Sequence, residues 1–151
     1  MSRGLGDVYK RQMQWDDSLN GGFSDHTPWL GVNPNYKEIN AASQMANDSS
    51  VFRFYQKLIS LRKEHPVMAH GDLQLCCPED GPVIAYTRSY QDETWLAVHN
   101  FSQDVQKFQY TGTGLQLDTS VLLSNYPEHD ICPEDDILTL KPYETVIFRL
   151  S

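Results

Sequence analysis

"DSSVFRFYQKLISLRKEHP", residues 48–66, carries the clearest periodicity in the chain, and the segments on either side of it behave differently. On a 3.6-residue helix Val51, Phe52, Phe54, Tyr55, Leu58, Ile59 and Leu61 fall on one side, and Arg53, Gln56, Lys57, Ser60, Lys63 and Glu64 on the other. Asp48 or Ser49 is the predicted N-cap, Arg62 and Lys63 complement the negative end of the dipole, and Pro66 stops the helix. The apolar arc is about 180° wide, against ~100° for an ordinary surface helix, so the helix is expected to pack against two bodies. Phe54 and Leu58, near the arc's centre, are expected to be buried. Phe52 and Ile59 lie on one flank, and Phe54 and Leu61 on the other.

Downstream, from Gly71, the period changes to two. "VIAYTRSY" (83–90), "TWLAVHNF" (94–101), "LQLDTSVLL" (115–123), "ILTL" (137–140) and "YETVIFRL" (143–150) read as strands. In the last, Val146, Phe148 and Leu150 share a face, with Glu144 as the exception among them. Glu79-Asp80-Gly81-Pro82, Gln91-Asp92-Glu93 and Gly112-Thr113-Gly114 are turn sequences. Short strands at this spacing predict an antiparallel β-sandwich. The charged run "EHDICPEDD" (128–136) is expected to be a solvated loop.

Upstream, "MQWDDSLNGGFSDHTPWLGVNPNYKEIN" (13–40) has no lasting period, and loops longer than about 12–15 residues are usually functional or disordered. It leads into a short helix predicted at Asn40–Ala46 with Asn40 as its cap. Trp29, before Leu30, is expected in a core. Trp15 either anchors the loop or offers an indole face to a sugar ring. Residues 1–12 are basic, show no amphipathic pattern, and are expected to stand outside the folded unit.

Composition narrows the function classes. With 151 residues the chain has the length of about one domain, and a 40% hydrophobic share is enough for a core. A net charge of -8 argues against a nucleic-acid or anionic-membrane partner, both of which require a basic face. No apolar run approaches a membrane span, and the N-terminus lacks the apolar core of a signal peptide. Three Cys cannot all pair, and Cys76 and Cys77 are adjacent, which points to free thiols in a reducing cytoplasm. In that setting the sequons at Asn47 and Asn100 are chance matches.

Few residues carry chemistry by themselves. His26, His65, His70, His99 and His129 have no metal-ligand spacing with each other or with Cys, so no metal or cofactor is expected. There is no P-loop, dinucleotide fingerprint or nucleophile elbow. Adjacent Asp16 and Asp17 rarely present both carboxylates to one bond, so one is expected to bracket the loop while the other is solvated. Tyr86, Tyr90 and Trp95 form a weak version of the aromatic row of a carbohydrate-binding module, but a sandwich core and its edge explain them better.

The quoted segments, with "HGDLQL" (70–75) after the helix and "LKPYETVIFRL" (140–150) at the end, resemble the C-terminal part of the α-glucosidases of glycoside hydrolase family thirteen. Within it they look most like the oligo-1,6-glucosidase, dextran glucosidase and trehalose-6-phosphate hydrolase group. The resemblance covers residues 13–151 and is most specific over 13–75, while residues 1–12 match nothing in the family and are expected to be foreign to the gene or disordered. It implies an α+β arrangement in which residues 13–66 end a catalytic (β/α)8 barrel, as its last βα loop and eighth helix, and residues 67–151 form an all-β antiparallel sandwich domain.

It also implies a retaining, exo-acting hydrolase of short α-linked glucosides, with α-glucosides as substrates and the rest of the barrel as partner in cis. Gln14, Trp15, Asp16, Asp17 and Asn20 would line the sugar pocket. The family's nucleophile, acid/base and stabilising carboxylate all lie upstream of this loop, so the chain itself carries no catalytic residue and is expected to be inactive alone. Where the family reads Arg-Thr-Pro, with a sugar-binding Arg, before Met-Gln-Trp, this chain has Lys10, Arg11 and Gln12. Arg11 is one position off and does not inherit that role. The alternative is a non-catalytic β-sandwich module that binds carbohydrate or only braces a barrel.

Overall fold

The structure is a computed structural model and describes residues 12–76, 81–110, 117–128, 130–132 and 136–150. The predicted turns at 79–80 and 112–114 and all of the 1–12 segment except Gln12 lie outside the described residues. The chain forms two compact units, Met1–Gln56 and Lys57–Ser151.

In the first unit, α1 (Ala41–Ala46) starts where its sequence says it should. Asn40 accepts a hydrogen bond from the Ser43 N–H and closes a capping box with that residue. Helix α2 (Val51–Glu64) runs from the first unit into the second, and its cap differs from both candidates. Ser50, not Asp48 or Ser49, accepts the Arg53 N–H through Oγ at 3.2 Å, and its carbonyl accepts the Phe54 N–H at 3.0 Å. The Asn47 side chain takes the Ser49 N–H at 2.9 Å, so the backbone is still turning there and helical bonding begins later.

No α2 side chain is fully buried, contrary to the expectation for Phe54 and Leu58, which with Leu61 are half-buried. Val51, Phe52, Tyr55 and Ile59 are exposed. The wide arc therefore has one covered flank and one bare flank.

The second unit is a two-layer sandwich. A five-stranded antiparallel sheet has the order β1 (Asp72–Leu75), β2 (Val83–Tyr90), β3 (Glu93–Asn100), β8 (Thr145–Leu150), β5 (Leu117–Ser124). A three-stranded sheet has the order β4 (Gln106–Gln109), β7 (Ile137–Leu140), β6 (Asp130–Cys132). The expected sandwich is present, with three strands beyond the prediction. β1, β4 and β6 have three or four residues each and are sheet edges, too short for a period-two pattern to register. "EHDICPEDD" is corrected accordingly: Ile131 pairs with Leu138 within it, so a strand runs through a segment whose charges suggested a loop.

Register assigns the two faces of the large sheet. Ala85, Leu96, Val98, Val146, Phe148 and Leu150 point inward and meet Phe108, Leu138 and Leu140 from the small sheet. On the outer face, Tyr86 pairs with Ala97 and Arg88 with Trp95. Part of that face is covered by α3 (Val67–His70) and the residues just before it. Val67 is fully buried, and Arg88 donates to the carbonyls of Val67 at 3.2 Å and Gly71 at 2.8 Å.

Glu144, the exception on the last strand's face, is 1% exposed and lies just before β8, where its Oε2 accepts the Lys141 N–H at 2.6 Å. Asn100 is buried, with both amide hydrogens engaged by the carbonyls of Asp104 and Lys141. No described helix is long and apolar enough to cross a membrane.

Candidate functional site

The 13–40 loop is held together by its own polar side chains. Gln14 donates through Nε2 to the Asn33 carbonyl at 3.2 Å and to Asn35 Oδ1 at 2.7 Å, closing the loop across its width. The carbonyls of Gln14 and Trp15 accept the N–H groups of Ala41 and Ala42 at 2.8 and 2.9 Å. The start of the loop thus satisfies orphan donors in the first turn of α1. Asn33 caps a 3₁₀ turn at Pro34–Lys37, and the Asn40 amide ties back to the Tyr36 carbonyl at 2.9 Å.

A tight reversal forms around Leu19–Gly22. Asn20, Gly21 and Gly22 all have positive φ, at 57°, 65° and 65°. The Trp15 N–H reaches the Gly21 carbonyl at 2.8 Å, and the Asn20 amide donates to the carbonyls of Ser24 at 3.0 Å and His26 at 3.1 Å. Asp16 closes the reversal by accepting the backbone N–H of Ser18 at 2.9 Å and its hydroxyl. The Ser18 hydroxyl, and then its N–H, hold the Asp16 carboxyl below the usual carboxylate range.

The five sequence-predicted site residues therefore divide. Gln14, Asp16 and Asn20 spend their polar atoms inside the loop. Trp15 is 53% exposed, and Asp17 is exposed with no partner for its carboxylate among the described residues. The two Asp are not a catalytic pair, since one faces inward to Ser18 while the other is solvated. Trp29 corrects the expectation of a core residue: it is 84% exposed, on a stretch with no regular secondary structure to pack it. Asn33, Asn35 and Tyr36 also close the loop, and Asn33-Pro34 is a readable cap-and-first-turn signal for it. Arg11 lies outside the described residues. Among the described residues no group of three or more His, Cys, Asp or Glu side chains is placed to hold a metal ion.

In the second unit, an open cleft of about 320 Å³ is lined by His65, Pro66, Tyr90, Gln91, Asp92, Glu93 and Arg149. Of its two carboxylates, that of Glu93 is committed to structure. Glu93 Oε1 accepts the Trp95 indole N–H at 2.9 Å, pairs with His65 Nδ1 at 3.2 Å and lies 3.9 Å from Arg149 Nε. Trp95 is buried, with the His65 ring against it, and Tyr90 lies beside His70. These aromatics are not an open row.

The loop and the sandwich each match a family model. Residues 3–71 match the catalytic domain of α-amylase, and residues 83–147 match the C-terminal domain of the α-amylase SusG. The first match reaches back into the 1–12 segment that shows no pattern of its own.

Among curated proteins, the chain is 41% identical to an oligo-1,6-glucosidase of Halalkalibacterium halodurans, over 94% of the chain and 25% of that protein. It is 34% identical to a trehalose-6-phosphate hydrolase of Escherichia coli, over 93% of the chain and 25% of that protein. Among solved structures, it superposes on a mutant of MutB in complex with glucose with a TM-score of 0.83 at 37% identity, covering 92% of the chain and 25% of that structure. A mutant isomaltulose synthase from Erwinia rhapontici NX5, solved with its natural substrate sucrose, gives a TM-score of 0.82 at 39% identity, over 92% of the chain and 24% of that structure. The chain spans about a quarter of the length of the curated relatives it matches.

Proposed function

The chain belongs to the α-amylase family, glycoside hydrolase family thirteen, as a C-terminal region, and from that premise we propose that its parent protein is a retaining, exo-acting α-glucosidase. The proposed substrates are short α-linked glucosides, isomalto-oligosaccharides or trehalose-6-phosphate, in line with the names of the relatives. We place residues 13–66 at the end of the barrel, 67–151 in the C-terminal β-domain, and the protein in the cytoplasm.

In this reading the loop is one wall of the sugar pocket. The observation that carries it is the division of labour within the loop. Gln14, Asp16 and Asn20 staple the backbone, and this leaves the Trp15 indole and the Asp17 carboxylate facing outward on a fixed frame. Such a frame presents an apolar face and a hydrogen-bond acceptor, the two groups a glucose ring needs. Retaining hydrolysis requires two carboxyl groups about 5–5.5 Å apart across the scissile bond, and the Asp16–Asp17 pair is not built for that, because Asp16 is bonded to Ser18. The chain supplies pocket wall and brace, and the upstream barrel supplies the reacting groups. Trp95 is buried against His65 and Tyr90 is half-buried beside His70, which favours a bracing role for the sandwich over a sugar-binding one.

Two measurements test this. The chain alone should show no turnover of p-nitrophenyl α-glucoside, isomaltose or trehalose-6-phosphate. A chimera in which residues 13–151 replace the matching quarter of the Halalkalibacterium halodurans oligo-1,6-glucosidase should hydrolyse α-glucosides, with kcat/KM lowered by Trp15→Ala and Asp17→Asn. A folded but inactive chimera, or turnover that follows the isolated chain through purification, overturns the reading.

A further inference from the structure

The tight reversal at Leu19–Gly22 contains the one Asn-Gly pair of the chain, Asn20-Gly21. An Asn followed by Gly is among the most labile amides in a polypeptide, because no Cβ on the second residue hinders attack by its backbone nitrogen on the Asn side chain. In that reaction the Gly21 nitrogen loses its proton and bonds to Asn20 Cγ, and the side-chain amide leaves as ammonia. Water then opens the cyclic imide at either carbonyl, which leaves aspartate or isoaspartate. Water is consumed and ammonia released, with nothing oxidised or reduced.

The folded loop opposes each step. Ring closure needs the Gly21 nitrogen to swing about the Cα–C bond until it lies beside Asn20 Cβ. Asn20 has ψ 26°, so that nitrogen nearly eclipses Asn20's own nitrogen and is turned away from Cβ. The Gly21 N–H is donated to the Ser18 carbonyl at 2.9 Å, and Gly21 is buried. The leaving amide is held by the carbonyls of Ser24 at 3.0 Å and His26 at 3.1 Å. Attack therefore requires the reversal to open locally.

The same contacts make the product unable to return. Asn and Asp both tolerate a positive φ such as the 57° of Asn20, so the backbone preference survives the change. A carboxylate at this position has no hydrogen to donate, and it would face the two carbonyl oxygens that now accept from Asn20. Isoaspartate also adds a methylene to the main chain, in a run where Asn20, Gly21 and Gly22 all have positive φ.

We propose that Asn20 is a conformationally guarded deamidation site. The closed reversal protects it, and each opening exposes it to a covalent change after which the turn cannot re-form. The loop thus carries an irreversible record of its own opening. A loss of activity on conversion rests on the reading of the loop as a pocket wall, and the chemistry does not.

Peptide mapping by mass spectrometry tests this at one pH and temperature, on the chain folded and in urea, with isoaspartate scored separately. In urea Asn20 should convert before every other Asn, largely to isoaspartate, and Gly21→Ala should suppress the conversion. In the folded chain conversion should be slower by about tenfold or more, since it must wait for local opening. Gly22→Ala sets a methyl against the Asp16 carboxylate, and Ser18→Ala removes a donor from it. Both should speed conversion several-fold in the folded chain and leave the rate in urea unchanged. Asn20→Asp should speed amide exchange at Trp15 and Gly21 with the β-domain unchanged. Equal rates folded and in urea, conversion without isoaspartate, or an Asn20→Asp loop that exchanges like the parent overturns the proposal. The chimera separates the two readings. One that converts slowly and keeps its activity after conversion removes the pocket wall and leaves the guarded site. One that loses activity through Trp15→Ala and Asp17→Asn, yet converts as fast folded as in urea, does the reverse.

Discussion

The carboxylate of Asp16 stands directly over the α-carbon of Gly22: a Cβ built there would lie 2.8 Å from Oδ1 and 2.9 Å from Oδ2. Gly22 also has φ +65°, which costs an L side chain about 1–2 kcal/mol. Gly22→Ala therefore combines backbone strain with a clash, and should displace Asp16 from Ser18. The expected outcome is a loop loosened by at least ~1–2 kcal/mol, read as faster amide exchange at Trp15 and Gly21 with the β-domain unchanged. Unchanged exchange would mean that Asp16 moves aside at no cost.

Asp16 also sets an acid limit on the loop. Its folded pKa lies below the ordinary 3.8 because Ser18 hydrogen-bonds the charged form. A depressed folded pKa means that the contribution is complete above 3.8 and is lost as pH falls through the lower folded value. A carboxylate titration followed by NMR should place Asp16 below the ordinary 3.8, and Ser18→Ala should move it up towards that value.

The cap of α2 is Ser50, so Ser50→Ala should destabilise the helix by ~1 kcal/mol, whereas Ser49→Ala and Asp48→Ala should cost only a few tenths. Urea denaturation of the three variants ranks them, and a larger cost at Ser49 would move the cap back one residue.

The two flanks of α2 should respond differently. Phe54→Ala and Leu61→Ala, on the half-buried flank, should cost about 1–3 kcal/mol, less than a fully buried truncation. Phe52→Ala and Ile59→Ala, on the exposed flank, should stay within ~0.5 kcal/mol in this chain and reduce its aggregation. Equal, negligible costs on both flanks by urea denaturation would remove the two-sided role of the helix.

His99 gives the β-domain its own pH dependence. Burial holds its pKa below 6.5, so the fold keeps it neutral while the unfolded chain protonates first. Its contribution is complete above 6.5 and is lost as pH falls through the folded value. The groups around it are Tyr86, Phe101 and Thr145. The Tm should fall on the acid side of neutrality, and His99→Gln should flatten that slope. A slope unaffected by the substitution would assign it to other groups.

Much of the molecule was determined by the sequence. Asn40 with Ser43 places α1, because a cap is a local contact between residues three apart. The longer strands β2, β3 and β8 show their alternation because one face must be buried, and that requirement is written into every second residue. The motif residues 13–17 and the helix after them carry the family resemblance without any coordinates.

What only the tertiary structure decided are facts about non-local partners. The short edges β1, β4 and β6 exist because a neighbouring strand pairs with them, and three or four residues hold too little pattern to announce it. Asp16 and Asp17 are adjacent and identical in type. The reversal at Asn20–Gly22 and the Ser18 donors turn one inward and leave the other in solvent. Trp29 and the bare flank of α2 are apolar yet exposed, because a hydrophobic pattern specifies that a surface wants covering and says nothing of whether the cover lies within the same chain.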